Sequence, residues 1–272
     1  MKLGLLTAVF GDRPLDDVAA WAARAGFDAL EVYCPPGREP TVPASIDVSA
    51  LAYYPNNLDP DLAAREDAHA HLRRLVDASQ RFGVGLVCTF AGADPARPLD
   101  ENLEEFRRVW PPLVEYAEAR GVRIAVENCP MVFDRSRWPG GTNLSYCPAA
   151  WDAMFEAIPS PALGLNLDPS HLVWLQVDYE RAVRDYGSRI FHVHAKDTEI
   201  RRDELYRRSI LSLGVGWQAG RIPGRGEVDW ARFVGALRYV GYDGVVSVEH
   251  EDHDLDVEAG FEVARDALRP LL

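Results

Sequence analysis

The chain lacks the features of several protein classes. It has a formal net charge of −13 at pH 7, whereas a nucleic-acid surface needs clustered lysines and arginines to contact phosphates. The same negative charge is unfavourable at an anionic membrane surface. No apolar run approaches the roughly 20 residues of a membrane-spanning helix. We therefore expect neither a nucleic acid nor a membrane as partner, and we expect a small-molecule ligand instead.

Cysteine is scarce, and the four cysteines have no zinc-type spacing. Cys34, Cys88, Cys129 and Cys147 form no CxxC pair, so we predict reduced thiols in a cytoplasm rather than a disulfide framework. No GxGxxG motif follows the first apolar run, which argues against a dinucleotide-binding fold. Residues 1–14 have a short apolar core and no small-residue cleavage site, so they are predicted to form a strand rather than a signal peptide.

Short apolar runs alternate with longer segments of helical period along the whole chain. The apolar runs predict eight strands, at residues 2–9, 29–33, 46–53, 85–90, 123–127, 163–168, 190–194 and 245–249. The periodic segments predict helices at residues 15–25, 61–82, 102–120, 148–157, 179–186, 230–240 and 257–268. The segment between the second and third strands is short and rich in proline, so no regular helix is expected there.

This alternation predicts an α/β fold with a parallel sheet, and eight repeats favour closure into a (β/α)8 barrel. Such a barrel typically needs ~250 residues, and the chain has 272, of which 47% are apolar and can form a large core. The longest irregular segments, 129–147 and 197–227, follow strands, as the active-site loops of a barrel do. We predict one TIM-barrel domain over residues 1–272.

Four acidic or imidazole side chains stand where predicted strands end. They are Glu127, Asp168, His194 and Glu249. The interior of a buried strand tolerates no charge, so these side chains are expected at the C-terminal edge of the sheet, where they can converge. Three carboxylates and one imidazole suit a single divalent cation, with Mn²⁺ as first choice and Co²⁺, Mg²⁺ or Zn²⁺ as alternatives.

Five motifs, taken in order, resemble a known family. They are VEN at 126–128, DPSH at 168–171, HVHAKD at 192–197, RIPGRGEVDW at 221–230 and GYDGVVSVEHED at 241–252. Together they resemble the xylose isomerase-like TIM barrels, and more narrowly the sugar phosphate isomerase/epimerase branch with its ketose 3-epimerases and inosose isomerases. The resemblance covers essentially the whole chain.

The resemblance implies roles for individual residues. Glu127, Asp168, His194 and Glu249 match the four ligands of one metal ion, and the two glutamates also match the catalytic carboxylates that flank the substrate. His171 matches a histidine that hydrogen-bonds a substrate oxygen. The implied activity is metal-dependent isomerisation or epimerisation of a ketose, inosose or keto-sugar through an enediolate. If the enediolate expels a leaving group instead, the same site would be a lyase, or deglycosidase, that acts on 3-keto-glycosides.

Four other residues are candidate substrate contacts, and each has a structural alternative. Lys196 can meet a substrate oxygen or pair with a neighbouring carboxylate. Arg221 can contact the substrate or belong to a tight turn before the next helix. Trp138 can stack on a sugar or pack within a lid, and Asn57 can bond a hydroxyl or shape a turn.

Histidines and a glutamate elsewhere are predicted to be structural. His192 lies two residues before His194, so it faces the same side of the strand one layer deeper. Glu31, at the end of the second strand, is expected to be a hydrogen-bonded carboxylate. His69 and His71, on the long helical segment at residues 61–82, are expected at the surface.

The sequence leaves other activities open. A DNA-repair endonuclease of the same superfamily would need more histidine ligands and a basic face, and a non-catalytic sugar-binding barrel would not need intact ligands. The chain has no Gly-rich basic loop and no arginine cluster near the eighth strand, which favours a free keto-sugar over a sugar phosphate. Related barrels are often dimers or tetramers, so a homo-oligomer is possible.

Overall fold

Eight parallel strands close into a barrel in the order in which they occur along the chain. The structure is a computed structural model, and it describes residues 1–132, 141–212 and 216–272. The barrel strands are β1 Lys2–Leu6, β2 Ala29–Tyr33, β3 Asp47–Ala52, β4 Leu86–Thr89, β5 Arg123–Glu127, β6 Leu163–Leu167, β7 Ile190–Ala195 and β10 Val245–Val248. β10 pairs with β1 and completes the ring. The predicted (β/α)8 barrel is confirmed.

Ten helices lie in the described part of the chain, most of them between consecutive barrel strands. They are α1 Leu15–Arg24, α2 Leu62–Phe82, α3 Leu99–Val109, α4 Pro111–Glu118, α5 Pro148–Ala157, α6 Pro169–Trp174, α7 Tyr179–Tyr186, α8 Arg202–Arg208, α9 Trp230–Tyr239 and α10 Val257–Leu268. As expected, the connection from β2 to β3 contains no regular helix. No helix in the described ranges is long and apolar enough to cross a membrane.

The structure divides one predicted helix into two. The helical pattern over residues 102–120 is interrupted at Trp110, between α3 and α4. Pro111 and Pro112 follow at once, and a proline fits the first turn of a helix but not its interior, where it removes a hydrogen bond and clashes with the preceding turn. α3 therefore ends before Trp110, and α4 begins at Pro111.

Two other differences lie in segments that precede or follow strands. The first strand ends at Leu6 instead of residue 9, because Thr7–Phe10 forms a 3-10 turn that ends at Gly11 with a φ of 59°. The segment after β7, predicted as irregular, contains the antiparallel strands β8 Asp197–Ile200 and β9 Gln218–Arg221, with α8 between them. This hairpin begins two residues after the end of β7, at the C-terminal edge of the barrel.

The surface position expected for two histidines is wrong. His71 is 1% exposed, and its Nε2 lies 2.7 Å from the carbonyl oxygen of Cys34. His69 is half-buried, and its Nε2 lies 2.8 Å from the carbonyl oxygen of Asn57. Both histidines thus connect α2 to loops that follow β2 and β3.

The barrel interior combines small side chains with polar ones. Interiors of this fold are usually filled by layers of bulky branched side chains. Here Ala50, Ala52, Cys88 and Ala125 belong to a small buried cluster that is separate from the main core. The space they leave is occupied by polar side chains that are at most 1% exposed: Glu31, Asn166, His192 and His194. The main core lies between the barrel and the surrounding helices.

Candidate metal centre and substrate cavity

The four predicted ligands meet at the C-terminal edge of the barrel. Glu127 is the last residue of β5, Asp168 and Glu249 directly follow β6 and β10, and His194 is the last but one residue of β7. One candidate ligand atom from each residue lies within 4.8 Å of the other three. The structure therefore brings together residues that the sequence placed only at separate strand ends.

Three of these ligand atoms have no hydrogen bond within the described residues. Glu127 Oε1, Asp168 Oδ2 and His194 Nδ1 are buried and have no hydrogen bond. An unsatisfied buried polar group costs about 1–3 kcal/mol, and such groups are rare in native proteins. A divalent cation would accept a lone pair from each atom, and carboxylate oxygens with one imidazole nitrogen suit Mn²⁺, Co²⁺, Mg²⁺ or Zn²⁺. The donor set fits a metal ion.

The local fold leaves one oxygen of Asp168 free for this purpose. Its Oδ1 accepts a hydrogen bond from the backbone N–H of Ser170 at 2.8 Å and so caps α6. Its backbone N–H donates to Asn128 Oδ1 at 2.7 Å, and Asn128 Nδ2 donates to the Asp168 carbonyl oxygen at 2.9 Å. The capping bond and the two bonds with Asn128 fix the carboxylate, so Oδ2 points at the other ligands.

The two ring nitrogens of His194 have different surroundings. Its Nε2 lies 2.9 Å from Glu31 Oε2 and 3.2 Å from the Tyr54 hydroxyl. Its Nδ1 lies 3.5 Å from Glu127 Oε1 and 3.4 Å from Glu249 Oε2. The imidazole therefore bridges the polar interior of the barrel and the cluster at its edge. Glu31 is hydrogen-bonded, as expected, but it lies inside β2 rather than at its end.

Lys196 lies beside the carboxylates of the cluster. Its Nζ is 2.6 Å from Glu249 Oε2 and 3.3 Å from both Asp168 Oδ2 and Glu251 Oε2. Burial lowers the pKa of Lys196, but the carboxylates of Glu249 and Glu251 raise it by more, so the group stays an ammonium. Lys196 thus places a positive charge next to a predicted catalytic carboxylate.

Both predicted catalytic carboxylates are held in the ionised form. Burial raises the pKa of Glu249, but Lys196 and His194 lower it by more, so the net shift is downward. Burial and the neighbouring Glu249 raise the pKa of Glu127, but His194 and His171 together lower it by more. Ionised carboxylates can accept a proton, so each glutamate is ready to act as a base.

His171 points at the same cluster. It accepts a hydrogen bond at Nδ1 from the indole N–H of Trp174 at 3.4 Å. Its buried Nε2 has no hydrogen-bond partner and lies 3.3 Å from Asp168 Oδ2 and 3.6 Å from Glu127 Oε1. Because Nδ1 is an acceptor, a neutral ring carries its proton on Nε2. His171 can therefore donate a hydrogen bond to a substrate oxygen, the role that the resemblance implies.

A cavity of about 370 Å³ lies beside the cluster. His171, Trp174, Lys196 and Arg221 contribute to its lining. The guanidinium of Arg221 also forms ion pairs with three carboxylates, among them Asp252 at 3.1 Å. Arg221 therefore lines the cavity, but three carboxylates already neutralise its charge. This supports a structural role for Arg221 over a substrate contact.

Asn57, another predicted substrate contact, does not line this cavity. Asn57 is fully buried, and its Nδ2 donates to Thr89 Oγ1 at 3.0 Å and to the Phe90 carbonyl oxygen at 2.7 Å. These bonds connect the loop after β3 to the end of β4, so they support a structural role for Asn57 as well. Trp138 lies outside the described residues.

Sequence reasoning missed the residues that orient the ligands. Asn128 could have been identified from the sequence, because an amide side chain next to Glu127 at a strand end can hydrogen-bond the backbone of the neighbouring strand. Tyr54 had no signal, because its contact with His194 joins residues 140 positions apart.

The family model of the xylose isomerase-like TIM barrel matches residues 19–271. The chain belongs to this family. The resemblance inferred from its motifs is confirmed. It is 28% identical to the uncharacterized protein YfiH of Bacillus subtilis (strain 168), over 99% of this chain and 98% of that protein. It is 26% identical to a 3-dehydroshikimate dehydratase of Pseudomonas putida, over 92% of this chain and 38% of that longer protein.

Two solved structures superpose on the whole chain. A D-psicose 3-epimerase with D-tagatose from Clostridium cellulolyticum H10 has a TM-score of 0.75 at 18% identity, over 100% of this chain and 99% of that one. The IolI protein with a bound zinc atom has a TM-score of 0.74 at 18% identity, over 100% and 99%. At such identities the likeness shows the shared fold alone.

Proposed function

We propose that this chain is a divalent-metal-dependent sugar isomerase or epimerase that acts on a ketose, inosose or other keto-sugar. The observation that carries the proposal is the convergence of Glu127, Asp168, His194 and Glu249, three of whose ligand atoms have no hydrogen bond in the described structure, beside a cavity lined by His171 and Lys196. The zinc atom in the IolI structure and the epimerase among the structural neighbours support it.

The reaction begins with removal of a proton from the carbon next to a ketone. A divalent cation held by the four ligands would supply Lewis acidity that stabilises negative charge on the substrate oxygens. Glu249 takes the proton, and the C–H electron pair moves toward the carbonyl oxygen to give an enediolate. His171 donates a hydrogen bond from Nε2 to a substrate oxygen, which holds the sugar in position.

The position of proton return decides the product. In epimerisation Glu127 first takes a proton from solvent and then donates it to the same carbon from the opposite face, which inverts that carbon, and Glu249 afterwards releases its proton to solvent. In isomerisation the proton is returned to the neighbouring carbon, which exchanges the positions of ketone and hydroxyl. Lys196 keeps Glu249 ionised between turnovers, so Glu249 is the base in the direction described and the acid in reverse.

Elimination is a second candidate, and Lys196 favours it. After the same proton abstraction, the C–H electron pair can form a C=C bond while a C–O bond two carbons from the carbonyl carbon breaks. The departing oxygen needs a proton, and the Lys196 ammonium is a donor in the cavity wall. The product would be water from a keto-polyol or the aglycone from a 3-keto-glycoside. The dehydratase among the relatives supports this candidate.

Turnover of a panel of keto-sugars in D₂O by the metal-loaded protein, followed by NMR, tests the proposal. Epimerisation or isomerisation places solvent deuterium in an intact sugar with a changed stereocentre or carbonyl position. Elimination instead gives a conjugated enone with ultraviolet absorbance and releases water or aglycone.

Matched variants connect the activity to the site. Glu127→Gln and Glu249→Gln should abolish turnover, whereas Glu101→Gln, on the exposed side of α3, should leave it unchanged. Equal turnover in all three variants would show that the two carboxylates are not the acid and base.

A further inference from the structure

The interior of the barrel contains a carboxylate with two partners, one on each oxygen. Glu31 is 0% exposed and lies within β2. Its Oε2 faces His194 Nε2 at 2.9 Å, and its Oε1 accepts a hydrogen bond from the Tyr54 hydroxyl. Asn166 Nδ2 donates to the same hydroxyl at 3.1 Å. An ionised carboxylate in this position requires such partners, because burying it alone is very costly.

We propose that Glu31 is a positioning residue that orients His194 and selects its tautomer, and that Tyr54 holds Glu31 in place. The inference rests on the proposed metal centre. An imidazole that donates its proton from Nε2 to a carboxylate has its Nδ1 lone pair free. That lone pair is directed at Glu127 and Glu249, where the other ligand atoms converge. Glu31 therefore acts on the metal through the ring of His194.

Glu31 could instead be a metal ligand, because Glu31, His192 and His194 also form a compact group. The hydrogen bonds argue for the positioning role. Both oxygens of Glu31 have partners, and His194 presents to it Nε2, the nitrogen that faces away from the cluster. His192 lies 3.1 Å from Asn166 Oδ1 through Nδ1 and 3.1 Å from Ser49 Oγ through Nε2. No nitrogen of His192 remains free for an ion.

The fold makes room for this arrangement. Glu31 pairs in register with Leu6 of β1 and Ala50 of β3. Ala50 and the nearby Cys88 are small, so the carboxylate reaches across the barrel to β7 without displacing other side chains. A polar contact thus links β2 and β7, which stand three positions apart around the barrel, just below the candidate metal centre.

Two variants test the inference. Glu31→Gln keeps the shape and an acceptor oxygen but removes the charge, and Tyr54→Phe removes only the hydroxyl that contacts both Glu31 and His194. Affinity for Zn²⁺ and Co²⁺ is measured by competition with a chromogenic chelator, and metal content by elemental analysis. We expect one ion per wild-type chain, an affinity reduced about 10–100-fold in Glu31→Gln, and a smaller reduction in Tyr54→Phe. Glu101→Gln is the control.

A second readout separates orientation from general damage to the fold. In ¹⁵N NMR of the Zn²⁺-loaded wild-type protein, His194 should bind the ion through Nδ1 and carry its proton on Nε2, where Glu31 accepts it, and in Glu31→Gln this Nε2–H signal should shift and exchange faster with solvent. Unchanged affinity and an unchanged Nε2–H signal in Glu31→Gln would overturn the positioning role while leaving the metal centre intact. If Glu31→Gln does not fold, unchanged affinity in Tyr54→Phe overturns it. Two ions per chain would make Glu31 a ligand, and no ion in the wild type would overturn both proposals.

Discussion

Asp168→Asn is the substitution that best separates metal binding from folding at this site. Asparagine keeps an oxygen that can accept the hydrogen bond from Ser170 N–H, so the cap of α6 is retained. The amide replaces Oδ2, which has no hydrogen bond in the described structure, by an NH₂ group that cannot bind a cation. The variant should therefore fold normally and lose the metal.

The expected size of the effect follows from linkage. A ligand present at about 1,000 times its Kd stabilises the folded state by about 4.1 kcal/mol. Unfolding entropies of about 2.1 cal/mol/K per residue give about 0.57 kcal/mol per kelvin for 272 residues. Saturating metal should then raise the Tm of the wild type by about 7 °C, and that of Asp168→Asn by less than about 1 °C.

Thermal unfolding followed by circular dichroism, with and without added Mn²⁺, Co²⁺ or Zn²⁺, measures both quantities. Without metal, Asp168→Asn should be as stable as the wild type, since one of several clustered carboxylates is removed. The ion that gives the largest shift at equal concentration identifies the preferred metal. A metal-induced shift of the same size in both proteins would refute the reasoning, because Asp168 would then not be a ligand.

Three further predictions concern His171 and Lys196, which line the cavity, and His71, which lies on α2. His171→Asn should lower kcat by about 100-fold without changing metal affinity, because the ring donates to the substrate; a parallel loss of metal in titrations would contradict this. In Lys196→Met the affinity for metal should be equal or higher, because a cation that competes for the carboxylates is removed, and kcat should fall. Weaker metal binding would refute this account. Burial lowers the pKa of His71, so its contribution to stability is complete above the unfolded-state pKa of about 6.5 and is lost as the pH falls. Urea unfolding at about pH 8 and about pH 5.5 should show this loss, and a smaller one in His71→Gln; the same loss in both proteins would exclude His71.

The ligand residues could be predicted because each of them lies at or next to the end of a strand. Charge is disfavoured inside a buried strand, so the positions of Glu127, Asp168 and Glu249 after apolar runs carried information about the edge of the barrel. The alternation of strand and helix then placed these ends on one side of one sheet. Neither step required knowledge of a distant contact.

The residues that orient the ligands could not be found in this way. Glu31 and His194 are 163 positions apart, and their contact depends on small side chains at Ala50 and Cys88 that leave space across the barrel. The β8–β9 hairpin was missed because its second strand, QAGR, has neither alternation nor branched side chains. Both features follow from tertiary packing, which a local pattern does not report.

The exchange of a substrate proton with solvent tests the central claim most directly. The metal-loaded protein should place deuterium from D₂O on the carbon next to the ketone of at least one keto-sugar, and removal of the metal by a chelator should stop the exchange. A protein that binds one metal ion per chain at Glu127, Asp168, His194 and Glu249, yet exchanges no proton in any of these sugars, would contradict it.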